Sequence, residues 1–367
     1  MRIPHITVVA AARPNFMKVG PVLRALEGRA DTSLVHTGQH YDDHMSTVFF
    51  RELGIPFPDV NLGVGSGSHA EQTAAVMVAF EKHLVGTTTD AIVVVGDVNS
   101  TLAASLVATK LGIPVAHVEA GLRSGDWTMP EEVNRVLTDR MSRWLFTPSP
   151  DGDANLVAEG IDPSRIHRVG NVMIDTLLAN LDRARARGRA LRQEMGGLDR
   201  FAVLTLHRPS NVDDPATLTR LIAALAGAAP DLPIVFPVHP RTGARLEGRT
   251  DLPPNLCCLP PLSYLDFIGL VAEAEVVLTD SGGIQEETSV LGVPCLTIRD
   301  NTERPITCEL GTNRLIGTDP AAIAPAVRQA RETPRRLSSI PQWDGRAGER
   351  VADVLIEEIH TDHSTVR

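Results

Sequence analysis

Short apolar runs alternate with longer segments of helical pattern along almost the whole chain. The apolar runs are predicted to be strands at about residues 3–10, 32–36, 91–95, 114–118, 201–206, 233–238, 256–259, 275–278 and 294–298. Continuous apolar runs of this kind are typical of parallel strands, because connecting helices cover both faces of a parallel sheet. The pattern therefore predicts an α/β protein built from parallel sheets.

Two parts of the chain share one design. Residues 92–97 and 276–280 are apolar runs that end in aspartate, and each is followed by a helical segment, a Leu-Gly pair and a proline that opens the next strand. A length of 367 residues also exceeds one typical core. We therefore predict two doubly wound, Rossmann-like domains, with the arginine-rich segment 182–197 as their linker. The N-terminal domain is expected to span residues 1–175 plus about 345–367, and the C-terminal domain residues 176–344.

Composition excludes several classes of function. A net charge of −10 and an aromatic content of 4% argue against a nucleic-acid partner, which requires basic and stacking surfaces. No run approaches the roughly 18 apolar residues that span a membrane, and the N-terminus enters folded pattern without a cleavage site, so we expect a cytoplasmic protein with no membrane partner. The four cysteines show no CxxC spacing and are expected to be reduced thiols of the core.

The segment 275–287 carries the most specific local signal. Its apolar run breaks at Asp280, Ser281, Gly282 and Gly283 and then continues as a helix. Two glycines allow close backbone approach, and the first amides of a helix favour an anion such as phosphate. Glu286 and Glu287 lie one turn further and could accept hydrogen bonds from hydroxyls, which indicates a diphosphate plus a ribose. Alternatively, the same residues form an ordinary turn with an N-cap.

Charged and polar residues also follow several predicted strands, where ligands bind in open parallel sheets. Individually these residues could be helix caps or buried structural histidines, but together they predict one cleft between the domains. They are Arg13, Lys18, Asp97, Glu119, His207 and His239.

Two further segments add candidates. Glu131 and Glu132 lie in the first turn of a predicted helix, where the helix dipole alone could account for Glu132, whereas Glu131 could face the cleft. Arg304 could bind a phosphate as a bidentate donor. We expect no metal, because Gly38 separates His36 from the other histidines that follow it at spacings of four. We expect no cofactor, because a full dinucleotide fingerprint is missing.

These motifs together resemble the non-hydrolysing UDP-N-acetylglucosamine 2-epimerases over nearly the whole chain. The matching segments are Ala12-Arg-Pro14 with Lys18, residues 37–40, 96–97, 117–123, 130–132 with 134–135, 207–208, 264–267, 279–287 and 299–305. The resemblance implies a two-Rossmann glycosyltransferase-like fold, a UDP-sugar partner and a homodimer. It also implies that the anomeric C1–O bond breaks, UDP leaves, a 2-acetamidoglucal forms, and UDP adds back after the C2 proton returns on the other face.

The resemblance also implies a role for each matching residue. Asp97, Glu119 and Glu131 match the catalytic acids of the family. His207 would act at the phosphates as a cation or an acid. The residues implied to bind substrate, with His239 added from its place after a strand, are Arg13, Lys18, Phe267 near the uracil, Ser281, Gly282 and Gly283 at the diphosphate, Glu287 at the ribose, and Arg304.

Three other functions remain open at this point. A hydrolysing 2-epimerase would release free N-acetylmannosamine, a glycosyltransferase of the same fold would need an acceptor site, and a sugar-nucleotide sensor could retain the glycine turn without catalysis. The Gln39-His40 loop matches a segment through which some bacterial members bind an activating second UDP-GlcNAc. Here Tyr41-Asp42-Asp43 follow it, which leaves that activation open.

Overall fold

The computed structural model describes residues 2–11, 13–38 and 50–365, without the side chains of Arg13 and of residues 362–365. The chain divides into two compact units. Residues 1–179 and 341–367 form what we call the N-terminal unit, and residues 180–340 form the C-terminal unit.

The N-terminal unit contains a seven-stranded parallel sheet within its described residues, in the order β3-β2-β1-β4-β5-β6-β7. Its strands are β1 His5–Ala10, β2 Asp31–His36, β3 Val60–Asn61, β4 Ala91–Val95, β5 Val115–Val118, β6 Trp144–Thr147 and β7 Ile166–Arg168. The strand order reverses direction between β1 and β4, which is where doubly wound sheets bind their ligands.

The C-terminal unit contains a six-stranded parallel sheet in the order β10-β9-β8-β11-β12-β13. Its strands are β8 Ala202–Thr205, β9 Ile234–Pro237, β10 Leu256–Leu259, β11 Val276–Thr279, β12 Cys295–Thr297 and β13 Asn313–Leu315. Its order reverses between β8 and β11, so the two units repeat one architecture, as the sequence predicts.

Helices connect the strands. Several begin where the sequence supplies a cap or a proline at the first helical position; for example, Ser68 and Glu71 form a capping box. Their bounds are α1 Arg13–Leu26, α2 His69–Val85, α3 Asn99–Lys110, α4 Pro130–Met141, α5 Pro150–Ala158, α6 Val172–Glu194, α7 Pro209–Val212, α8 Pro215–Ala228, α9 Pro240–Leu246, α10 Tyr264–Glu273, α11 Gly282–Leu291, α12 Ile306–Glu309, α13 Pro320–Glu332 and α14 Ala347–Thr365.

The predicted α/β class with two Rossmann-like sheets is confirmed, and the predicted strands match within one or two residues. The sequence pattern missed β3, β7 and β13, which have only two or three residues, and also β6, which has four residues and lies inside its sheet. The expectation of core thiols is wrong for Cys258 and Cys308, which are exposed, whereas Cys295 is buried. Within the described part of the chain, no helix combines the length and the apolar character that a membrane crossing requires.

Candidate functional site

In the N-terminal unit, the register of two central strands places two candidate acids side by side. Val95 at the end of β4 pairs with Val118 at the end of β5, so Asp97 and Glu119 both follow at the same edge. Gly96 adopts a φ of +65°. A Cβ atom at Gly96 would lie 3.1 Å from Lys18 Nζ and 3.3 Å from Glu119 Oε2. Glycine is therefore required there for both conformation and space.

Glu119 forms an ion pair with Lys18 of α1, and both side chains are almost fully buried. The backbone of Glu119 adopts a φ of +73°, although Glu119 is not a glycine. Backbone conformations of this kind cost about 1–3 kcal/mol and cluster at functional sites. The amides of Glu119 and Ala120 both donate to the carbonyl of Phe146, which holds the strained residue against β6.

Asp97 pairs with a second buried cation, Arg135 of α4. The Arg135 Nε and Nη2 atoms lie 2.9 and 2.7 Å from Asp97 Oδ2, and Nη1 lies 2.7 Å from Glu132 Oε2. The Asp97 carboxylate keeps about a quarter of its surface exposed, at 27%. Asp97 is thus fixed in orientation but still open to solvent or a ligand.

Glu132 makes specific contacts in addition to its favourable position in the dipole of α4. Its carboxylate is buried and accepts hydrogen bonds from the amides of Ser124 and Gly125. Burial alone would raise the pKa of Glu132, but these amides and Arg135 lower it below its usual value. The dipole explanation from the sequence is therefore incomplete, since Glu132 also fixes the loop before α4.

Glu131 lies one residue earlier in the first turn of α4 and is half-buried. Among the residues that the structure describes, no hydrogen-bond or ion-pair partner is found for its carboxylate. Glu131 is therefore the one acid of the three candidates that the described chain leaves uncommitted.

In the C-terminal unit, the turn between β11 and α11 has the predicted form. Ser281 occupies the N-cap position, but its side chain makes no capping hydrogen bond. Its own amide donates to Thr279 Oγ1 at 3.0 Å. The first amides of α11, from Gly282 onward, lack intrahelical partners, as at any helix start, and suit an anion. The reading of Ser281 as an ordinary side-chain cap is therefore not supported.

Arg304 lies directly over this helix start. Its Nε atom is 2.6 Å from Glu286 Oε1, and its Nη1 atom is 2.6 Å from Glu303 Oε1. A Cβ atom at Gly282 would lie 2.7 Å from Arg304 Nη1 and 2.6 Å from Glu303 Oε1. Gly282 therefore leaves the space in which Arg304 reaches the helix terminus. Arg299 supports the arrangement by pairing with Glu303 at 2.8 Å.

His207 follows β8 and is oriented by the fully buried Asp280. The Asp280 carboxylate accepts the amides of His207 and Arg208 at 3.1 and 2.9 Å, and lies 2.8 Å from His207 Nδ1. Burial would raise the pKa of Asp280, but His207 and these donors lower it. Since Nδ1 donates to Asp280, Nε2 is the ring nitrogen that remains for another partner. Asp280 is thus an orienting residue rather than a helix cap.

His239 lies beside His207, with their ring centroids 5.8 Å apart. Its Nδ1 atom accepts the amide of Arg241 at 3.2 Å and caps α9. Burial and the neighbouring His207 lower the pKa of His239 below its usual value. We conclude that His239 is neutral at pH 7, with its hydrogen on Nε2.

Glu287 lies one turn into α11 and is buried against Tyr264 of α10, whose hydroxyl donates to Glu287 Oε1 at 2.9 Å. Burial and the nearby Glu286 raise the pKa of Glu287 to about 8, although Tyr264 acts in the opposite direction. Glu287 therefore carries a proton at neutral pH. Phe267 lies on the same helix as Tyr264 and packs against the core of the C-terminal unit.

The family follows from comparison with known proteins. The sequence model of the UDP-N-acetylglucosamine 2-epimerase family matches residues 24–356. The chain belongs to this family. A UDP-N-acetylglucosamine 2-epimerase of Methanocaldococcus jannaschii is 42% identical over 360 residues, which cover 95% of this chain and 98% of that protein.

Two further comparisons place the chain within the family. A UDP-2,3-diacetamido-2,3-dideoxy-D-glucuronate 2-epimerase of Pseudomonas aeruginosa is 39% identical, over 95% of this chain and 99% of that protein. The crystal structure of the Methanocaldococcus jannaschii UDP-GlcNAc 2-epimerase in complex with UDP-GlcNAc and UDP superposes with a TM-score of 0.89 at 41% identity. The superposition covers 96% of this chain and 99% of the Methanocaldococcus jannaschii chain. The predicted family is confirmed.

Within this epimerase family fold, the structure brings most of the predicted residues into two local groups, one in each unit. The first contains Lys18, Asp97 and Glu119, and the second contains His207, His239, Ser281, Gly282, Gly283 and Arg304. That the two groups bind one ligand stays a prediction. The side chain of Arg13 and residues 39–40 lie outside the described part of the structure.

Sequence reasoning missed the partners of the candidate residues. Arg135, Tyr264 and Glu303 lie in the matching family segments, but sequence reasoning assigned a role to none of them. The spacing of Glu132 and Arg135, three residues apart on one predicted helix, was the signal available for one of these pairs.

Proposed function

We propose that this protein interconverts UDP-N-acetylglucosamine and UDP-N-acetylmannosamine by inverting C2, without releasing free sugar. The C2–H bond has no adjacent carbonyl, so direct deprotonation is implausible. Loss of UDP from C1 gives the ring oxocarbenium character and makes the C2 proton removable. A 2-acetamidoglucal results, and UDP adds back after the proton returns on the opposite face.

The observation that carries this proposal is the pair of oriented carboxylates at the ends of β4 and β5. Inversion requires proton exchange on both faces of C2, so two groups, or one group with water, must stand there. Asp97 and Glu119 are held by Arg135 and Lys18, respectively. Glu131 is a third candidate. Lys18, which the resemblance assigned to phosphates or the cleft lining, is proposed here to orient Glu119.

The C-terminal unit is proposed to hold the nucleotide. Charge-assisted hydrogen bonds of about 1.5–3 kcal/mol each, from groups such as Arg304, would stabilise the leaving diphosphate together with the amides that begin α11. His207 would offer Nε2 to the same group. The published relative in complex with UDP-GlcNAc and UDP supports a UDP-sugar as the substrate class.

A second candidate concerns the sugar rather than the reaction. The Pseudomonas aeruginosa relative, named for a 2,3-diacetamido glucuronate substrate, is 39% identical, close to the 42% of the UDP-GlcNAc 2-epimerase. The same C2 inversion on a sugar with a 3-acetamido group and a C6 carboxylate is therefore the alternative. We favour UDP-N-acetylglucosamine because the family description and the first relative both name it.

Incubation in deuterated water tests the proposal. NMR follows the reaction. With UDP-N-acetylglucosamine as substrate, we expect deuterium at C2 and a product of manno configuration, without free sugar. Free N-acetylmannosamine would instead indicate a hydrolysing enzyme, and no exchange would leave a transferase or a sensor. Parallel assays with the diacetamido glucuronate substrate compare kcat/KM for the two sugars. The proposed protein is a homodimer, as the resemblance implies, and light scattering tests this.

A further inference from the structure

His117 is fully buried on β5, two residues before Glu119. Its Nε2 atom lies 2.8 Å from the carbonyl oxygen of Gly96, the residue before Asp97. Its Nδ1 atom lies 2.6 Å from Asp139 Oδ1 on α4. One imidazole ring therefore connects the turn that carries Asp97 with the helix that carries Arg135.

The other oxygen of Asp139 contacts the chain that follows Glu119. Asp139 Oδ2 accepts the amide of Gly121 at 3.1 Å and lies 2.8 Å from Arg123 Nη1. Arg123 also forms a bidentate pair with Glu159, at 2.7 and 2.8 Å. Asp139 and Arg135 are four residues apart and so share one face of α4. That face thus supports both candidate acids, Asp97 through Arg135 and the Glu119 loop through Asp139.

The hydrogens of this cluster can be counted from its donors and acceptors. A carbonyl oxygen only accepts, so His117 Nε2 carries a hydrogen. The 2.6 Å contact between Nδ1 and Asp139 Oδ1 needs a second hydrogen. Burial would raise the pKa of Asp139, but His117 and Arg123 hold it below its usual value. Both ring nitrogens of His117 are therefore engaged in hydrogen bonds within this cluster.

We propose that His117, hydrogen-bonded through both ring nitrogens, is a positioning residue that sets the backbones carrying Asp97 and Glu119 for proton exchange at C2. The proposal rests on the proposed function of these two acids. His117 reaches the loop that contains Glu119, whose φ is +73°, through Asp139, which accepts the amide of Gly121, while the amide of Glu119 itself is held by Phe146. His117 itself is fully buried and acts only through these groups.

Two variants differ in how much of the ring's hydrogen bonding they remove. His117→Gln can keep a donor toward Gly96 but loses the link to Asp139. Asp139→Asn is milder, because its amide oxygen can accept from Gly121 and Arg123 while its NH2 group donates to a neutral imidazole. His167→Gln is the matched control, since His167 lies on β7 of the same sheet and packs against Phe146 instead.

The experiment measures kcat, KM and C2 deuterium exchange for each variant, together with 15N NMR of the histidine rings. We expect the wild-type spectrum to show His117 hydrogen-bonded through both ring nitrogens, and the Asp139→Asn spectrum to differ at Nδ1. We expect kcat to fall about a hundredfold in His117→Gln and about tenfold in Asp139→Asn, with KM within threefold of wild type. A smaller loss of kcat in Asp139→Asn, which keeps both hydrogen bonds of the ring, distinguishes positioning from general loss of folding.

Three results would overturn the proposal. They are a kcat for His117→Gln equal to that of His167→Gln, a loss expressed only in KM, or a wild-type ring that is hydrogen-bonded through only one nitrogen. If His117→Gln does not fold, the kcat of Asp139→Asn and the wild-type NMR spectrum still test the proposal. An inactive wild-type protein would contradict the proposed function instead, so the two failures are distinguishable.

Discussion

Glu119 in the N-terminal unit lies against the ammonium group of Lys18, whereas Glu287 in the C-terminal unit lies against the phenol of Tyr264. Both glutamates are buried. Burial and the nearby Glu286 raise the pKa of Glu287 to about 8, and the neutral phenol compensates for burial only in part. In the proposed function the same residue type is assigned two different roles, proton transfer in one unit and hydroxyl recognition in the other.

The largest expected effect tests the N-terminal half of this comparison. Asp97→Asn and Glu119→Gln should each lower turnover at least a thousandfold, because an amide cannot exchange the C2 proton. UDP affinity, measured by titration calorimetry, should stay within about threefold of wild type, since the nucleotide is assigned to the other unit. Loss of UDP affinity in both variants would refute the division of labour.

The next effect tests the nucleotide side. Gly282→Ala places a Cβ atom within 3 Å of Arg304 Nη1 and Glu303 Oε1, and so displaces the guanidinium from the start of α11. Loss of one charge-assisted hydrogen bond of about 1.5–3 kcal/mol predicts UDP binding weaker by about tenfold to a hundredfold. Gly227→Ala is the control, because Gly227 is exposed on α8 and an added Cβ atom would meet nothing within 4 Å beyond the helix's own backbone. Equal affinities in the two variants would contradict the placement of the diphosphate.

A third prediction sharpens the contrast between the two acids through pH. The pKa of Glu287 is about 8 in the folded protein and near 4.5 when unfolded, so the folded state holds an extra proton between these values. Stability contributed by this proton is complete below pH 4.5 and is lost as pH rises to about 8. Relative to Glu287→Gln, the wild type should lose about 1.4 kcal/mol of unfolding free energy per pH unit in this window. Urea unfolding at pH 6, 7 and 8 measures it.

Parallel stability profiles for the wild type and Glu287→Gln would show that Glu287 is ionised when folded. The comparison between the two units would then fail at its C-terminal side, although the assignment of UDP binding would survive.

The smallest expected effect concerns the phenol. Tyr264→Phe removes one hydrogen bond to Glu287 and should lower the free energy of unfolding by about 1 kcal/mol. A double-mutant cycle with Glu287→Gln, followed by thermal unfolding, isolates the pairwise contribution. A coupling energy of zero would mean that the contact does not stabilise the buried acid.

The sequence predicted the central strands because buried parallel strands such as β4 are continuously apolar. It missed β7 and β13, because three-residue strands containing His167, Arg168 or Asn313 carry no such pattern. Candidate acids were predictable from their place after strands. Their partners were not, since the contact between His117 and Asp139 depends on how α4 packs against β5 rather than on spacing.

The φ of +73° at Glu119 has an evolutionary consequence. Glycine and asparagine tolerate that backbone better than glutamate, so the glutamate side chain stands there against the local preference of the chain. In a library screened only for heat resistance, we expect replacements to accumulate at this position. In a library screened for growth that depends on the product, we expect it to stay invariant. Sequencing both populations would show that selection for catalytic activity and selection for thermal stability act in opposite directions at this codon.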